Sequence, residues 1–177
     1  MTRRNVSWLV GGLVALCLAF AAAPKPAEAG GLRARVYLSQ RKIPKKLGMR
    51  GLLGFVRKNG TKRLRETNEP KLNDRKFKAE MVTAFNRPPG DLEFHVLFYD
   101  VHDGARRFVS DMSTFIDDRK EKVFVQRVKL PRPEFKPNRR MELIVTVRRQ
   151  EVGKLKFITD GEEIRRSGTV DFGDDEA

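Results

Sequence analysis

Residues 140–159 read RMELIVTVRRQEVGKLKFIT. Met141, Leu143, Val145 and Val147 alternate with Glu142, Ile144, Thr146 and Arg148. That is the period of two shown by a strand with one apolar and one mixed face. A polar break at Arg149-Gln150-Glu151 follows, and the chain returns through Val152, Leu155 and Phe157 with lysines between them. Two alternating runs with a short break predict an antiparallel hairpin lying on a core.

Working outward, the same pattern recurs in shorter pieces. Residues 92–101 place Leu92, Phe94, Val96 and Phe98 on one face and Glu93, His95, Leu97 and Tyr99 on the other. Asp103-Gly104 is a tight-turn dipeptide, so residues 106–112 are expected to return beside that strand with Phe108 facing in. Residues 76–85, with Phe77, Ala79, Met81 and Thr83 on one face, and residues 123–130 predict two more strands. Residues 32–39 alternate Leu32, Ala34, Val36 and Leu38 with Arg33, Arg35 and Tyr37, which predicts a first strand.

The stretches between are punctuated. Residues 40–50 read as a loop, and residues 51–57 as a short apolar strand bent at Gly54. Asn59-Gly60 reads as a turn, and residues 62–74 as a charged surface loop. Residues 115–120 form a polar connection, and Pro131, Pro133 and Pro137 lead into the hairpin. After it, residues 161–168 read as loop or weak strand and residues 169–172 as a last short strand. No amphipathic helix is expected. Seven to nine short strands, spaced by roughly ten residues, predict an all-β chain folded as an antiparallel β-sandwich.

The segment Phe135-Lys136-Pro137-Asn138, followed by the hairpin, resembles the closing strands of an immunoglobulin-like or fibronectin-like sandwich. The resemblance spans residues 77–157. It implies a fold and no particular activity, because such sandwiches host many unrelated roles. The chain departs from that pattern in having no cysteine pair, no core tryptophan, and Phe135 where a corner tyrosine is looked for.

The chain's 177 residues suit one domain of ordinary size, and 40% hydrophobic content with twelve Phe predicts a phenylalanine-rich core. The first 29 residues read as an address. Arg3 and Arg4 precede an apolar run over residues 8–23, and Ala27-Glu28-Ala29 supplies the small residues of a cleavage site. The run is shorter than the roughly 20 residues of a spanning helix. A cleaved secretory signal over 1–29 is therefore expected, by general or twin-arginine export, with a bacterial periplasm or exterior as destination. One sandwich domain over 30–172, basic in 30–78, and an acidic tail over 173–177 complete the expected organisation. Cys17 and Trp8, each the sole residue of its kind, lie in the signal, so no disulfide is expected beyond it.

No motif points to catalysis. Neither G-x-S-x-G nor H-E-x-x-H occurs, and no histidine is placed by sequence beside Ser110, Asp111 and Ser113. His95 reads as a residue on a strand's outer face. Asp100, His102 and Asp103 carry metal-compatible atoms, but Asp103-Gly104 is needed by the turn alone. Asp117-Asp118 and the acidic tail lack the alternating oxygen ligands of a calcium loop. No enzyme, cofactor or metal site is expected. A periplasmic enzyme with a site near His95 or His102 is the weakest alternative.

Charge is the feature above background. Residues 30–78 hold sixteen Lys and Arg against three acids, a balance of +13, whereas residues 79–177 hold eighteen against nineteen. Arg41, Lys42, Lys45, Lys46, Arg50, Arg57, Lys58, Lys62, Arg63 and Arg65 are the candidate contacts to an anionic surface: lipid, lipopolysaccharide or an acidic glycan. Nucleic acid fits less well, because only Phe55 offers an aromatic platform there. The plain alternative is a set of solvated loops. A second functional reading is an envelope assembly or chaperone-like module that pairs with another chain through an edge strand.

Overall fold

The computed structural model describes residues 31–163. The expectations for the signal segment, for residues 164–168 of the 161–168 loop or weak strand, for residues 169–172 and for the acidic tail lie outside the described residues.

Eight strands and one helix follow in chain order: β1 Ala34–Ser39, α1 Met49–Asn59, β2 Arg63–Arg65, β3 Lys76–Phe85, β4 Glu93–Asp100, β5 Arg107–Phe115, β6 Val123–Pro131, β7 Arg140–Val147 and β8 Gln150–Asp160. They form two sheets. The three-stranded sheet has the order β1-β3-β6 and the five-stranded sheet the order β2-β8-β7-β4-β5. All pairings are antiparallel except β2 with β8, which is parallel. This is the β-sandwich that the alternating runs predicted.

The core lies between the sheets and is built from phenylalanine. Phe85, Phe94 and Phe124 meet edge to face with centroids 5.3 to 5.8 Å apart. Phe98 and Phe135 make a second such pair at 5.6 Å. These are the favoured offsets of aromatic quadrupoles. Phe135 is fully buried, so its lack of a hydroxyl leaves nothing polar to satisfy there.

The 140–159 hairpin forms as β7 and β8, with its turn placed differently from the sequence reading. The two turn residues are Arg148 and Arg149, both in the left-handed region at φ 50° and 63°. Gln150 and Glu151 already belong to the ladder, opposite Val147 and Thr146. A two-residue turn of this hand matches strand twist, but it favours Asn and Gly over arginine. Arg148 is pinned by bonds to Asp91 and to the carbonyl of Gly90.

The mixed face of β7 is also buried. Glu142 is only 2% exposed and Ile144 not at all, because β7 is the middle strand and its neighbours' side chains close over it.

Four local expectations are corrected. Residues 51–57 are helical, not a bent strand. Leu52 and Val56, one turn apart, bury against Val82 and Val123 on the outer face of the three-stranded sheet, with Leu53 and Phe55 beside them. Asn59-Gly60 is the end of that helix, where Asn59 Nδ2 donates to the carbonyl of Phe55 and Gly60 is extended. Residues 62–74 contain β2 and a 3-10 turn at Leu72–Asp74. Finally, Phe108 faces out at 55% exposure. The register shifts by one between Phe98 and Tyr99, so Phe108 stands opposite Tyr99 on the outer face, with their rings 5.9 Å apart.

One side of the sandwich is closed tightly. Gly153 on β8 lies so near β1 that a Cβ there would stand 2.5 Å from the carbonyl oxygen of Ala34. Gln40, just after β1, both donates to and accepts from the backbone of Arg65 on β2. One end is closed by charge. Arg132, 7% exposed, and Arg75 each donate to Glu66 at 2.9 Å, and the backbone N–H of Glu162 donates to the same carboxylate at 3.0 Å. Arg132 also donates to the carbonyl of Glu162. This cluster joins the ends of β2, β6 and β8.

Candidate anionic-ligand surface

The ten candidate cations fall into two groups attached to different sheets. Arg41, Lys42, Lys45 and Lys46 are exposed in the loop before α1, and Arg50, Arg57 and Lys58 are exposed on α1 itself, over the three-stranded sheet. Arg57 and Lys58 sit in the last turn, where they also suit the helix dipole. Arg41 is held to the helix end by its bond to Asn59 Oδ1. Lys62 leads into β2, and Arg63 and Arg65 are exposed on β2 at the edge of the five-stranded sheet.

Lys62 joins a groove. On the outer face of the five-stranded sheet lies a depression of about 550 Å³ lined by five cations: Lys62, Arg106, Arg140, Lys154 and Lys156. The register explains the set. Met141 and Phe157 face the core as a pair, so their neighbours Arg140, Lys154 and Lys156 face out. Arg106, from the β4–β5 turn, reaches in to bind Glu142 at 2.7 Å and Glu151 at 3.3 Å. Arg140 donates to the carbonyl of His102. Lys62, Lys154 and Lys156 make no ion pair among the described residues. Among the described residues the one carboxylate on the groove wall, Glu142, is therefore already engaged, and three ammonium groups remain for a ligand. Lys154 and Lys156 are legible in the sequence as lysines between the apolar residues of the hairpin, outside the basic stretch over 30–78.

The other chemistry-bearing residues lie apart from this groove. Arg139 bridges Asp100 at 3.0 Å and Asp103 at 3.2 Å, and the backbone N–H of His102 donates to Asp100. A guanidinium thus occupies the space between the two carboxylates. Among the described residues no three potential metal ligands cluster. His95 stands opposite Ser113 in the ladder and 3.5 Å from Glu93. No hydrogen bond joins His95 to Ser113, and all three are open to solvent rather than set in a cleft.

Burial raises the Asp100 carboxyl, but the His102 N–H and the Arg139 guanidinium outweigh it and hold the group below its ordinary value. A carboxylate depressed on folding adds stability above its unfolded value, about 3.9. That contribution fades as pH falls through the folded value. Asp100→Asn keeps the bond from His102 and loses the charge. The stability gap between wild type and this variant, measured by urea unfolding, is expected to be constant near neutrality and to shrink below about pH 4.

No protein-family model matches the chain, and no curated protein sequence matches it. Among solved structures it is similar to an immunoglobulin-like protein of Pseudomonas aeruginosa, at 13% identity. That likeness covers 73% of this chain and 96% of the other, with a TM-score of 0.39. The likeness is distant, and function has to be read from this chain's own residues. Among the described residues no helix is long and apolar enough to cross a membrane.

Proposed function

We propose that this chain is an exported, non-catalytic β-sandwich module that binds clustered phosphate or carboxylate groups of an envelope surface. The observation that carries the reading is the groove on the outer face of the five-stranded sheet, where five cations surround one engaged carboxylate. Its unpaired lysines stand on adjacent elements, so one polyanion spans them without rearrangement. Arg63 and Arg65 extend the same edge, and the cations of the α1 region supply a second, separate contact. Export is supported by the signal-like first 29 residues.

The test titrates the purified protein onto anionic and neutral vesicles, lipopolysaccharide, an acidic glycan and DNA at several salt concentrations. One variant carries Lys62→Gln, Lys154→Gln and Lys156→Gln. A second carries Arg41→Gln, Lys42→Gln, Lys45→Gln and Lys46→Gln. Each lysine near an anionic surface is worth about 1 kcal/mol, so the groove variant should lose roughly a hundredfold in affinity. The loss should shrink with added salt. Equal binding by wild type and the groove variant would sink the proposal, and a loss confined to the second variant would move the site to α1.

A further inference from the structure

The two sides of the sandwich are unlike. Where Gly153 meets Ala34, the side is shut. On the opposite side β5 and β6 are both outermost strands, linked by Gln126 donating to Thr114 Oγ1. Four of the large exposed apolar side chains gather there: Leu47, Met49, Phe115 at 72% and Val125 at 48% exposure. They line one groove that also holds Asp117 and Glu121.

The hydrogen-bond phase of β6 is fixed by two contacts. The N–H of Phe85 donates to the carbonyl of Lys122 at 2.7 Å, one step beyond the Ala84–Val123 pair. At the other end the N–H of Arg132 donates to the carbonyl of Arg75. Antiparallel ladders alternate, so the even-numbered residues of β6 bond to β3. Val123, Val125, Arg127 and Lys129 therefore turn their N–H and C=O groups to the open side.

This free edge carries exposed charges of both signs. Glu121 stands four residues before Val125 and Lys129 four residues after it, both exposed; Asp117, Asp118, Arg119, Lys120 and Lys122 lie around the first and Arg127 before the second, and these are exposed as well. Charges on an edge normally deter other strands. Here one pair favours an arrangement, because an antiparallel copy of the same strand brings its Lys129 across from Glu121.

We propose that β6 pairs with β6 of a second copy of this chain, antiparallel about a two-fold axis at Val125. The two three-stranded sheets then become one continuous sheet through an isologous interface. Val125 faces its own counterpart. Glu121 of each copy stands across from Lys129 of the other, the cross-strand placement in which opposite charges attract. The exposed Met49, Leu47 and Phe115 flank the seam, so pairing also removes apolar surface from water.

Sedimentation equilibrium of the purified full chain over a wide concentration range tests this. A dimer mass is expected, shifting to monomer on dilution. Val125→Pro removes only an N–H that faces the open edge, so it should give a folded monomer with unchanged circular dichroism. Glu121→Lys and Lys129→Glu should each raise the dissociation constant about tenfold, since the contact occurs twice in the dimer. Combining the two should restore it. A monomer mass for wild type at every concentration overturns the proposal. So does a dimer that survives Val125→Pro, or a double swap no tighter than either single change.

Discussion

Glu66→Ala is expected to cost about 3–5 kcal/mol of folding stability, the cost of breaking a buried ion pair from one side. The carboxylate accepts from Arg75, from Arg132 and from the N–H of Glu162. Arg132 is 7% exposed, so without Glu66 its charge is left largely buried with only the Glu162 carbonyl as partner. The site has no room for easy rearrangement, because a Cβ at Gly161 would lie 2.6 Å from the Glu66 carboxylate. Urea unfolding followed by circular dichroism should show a large fall in midpoint with the slope unchanged. Glu93→Ala is the internal comparison. Its contact with His95 is 41% exposed on both sides and should be worth about 0–1 kcal/mol. If Glu66→Ala proves no worse than Glu93→Ala, the cluster does not hold the end of the sandwich shut.

Phe94→Ala is expected to cost a similar amount, about 3–5 kcal/mol, through lost transfer energy and an unfilled cavity. Phe94 is wholly buried and stands between Phe85 and Phe124 of the facing sheet. Removing its ring takes away two of the three edge contacts in that cluster. The backbone cannot collapse into the space, since β4 is held between β5 and β7. Phe94→Leu should recover part of the loss. Thermal unfolding of the two variants beside wild type checks the order, and equal melting points for Phe94→Ala and wild type would remove Phe94 from the centre of the core.

The parts of this fold that sequence shows are those with uninterrupted alternation. Met141 to Val147 and Phe94 to Phe98 declare their buried faces because their period is local. The helix was hidden because Gly51 and Gly54 weaken it, and its apolar residues read equally well as a short strand. Its packing against Val82 decides the matter, and that contact is not local. Nothing in an Arg-Arg pair announces left-handed backbone, so alternation alone puts the hairpin turn too far along the chain. The groove shows the same limit. Lys154 and Lys156 are visible between the apolar residues of β8, but Lys62 joins them only because β2 lies parallel to the end of that strand. Counting charge along the chain finds how much basic surface there is, and only topology decides which cations meet.

That parallel pairing has a kinetic consequence. Arg63 pairs with Ile158 and Leu64 with Thr159, so the ladder of β2 stays unpaired until β8 is in place. The hairpins β4–β5 and β7–β8 close short loops and can form early, whereas the β2–β8 contact spans most of the domain and carries the loop-closure penalty of a distant pair. The lysine that β2 brings to the groove is thus delivered at the end of folding. A chain that is still incomplete presents loose basic segments, and only the finished molecule presents the assembled cluster.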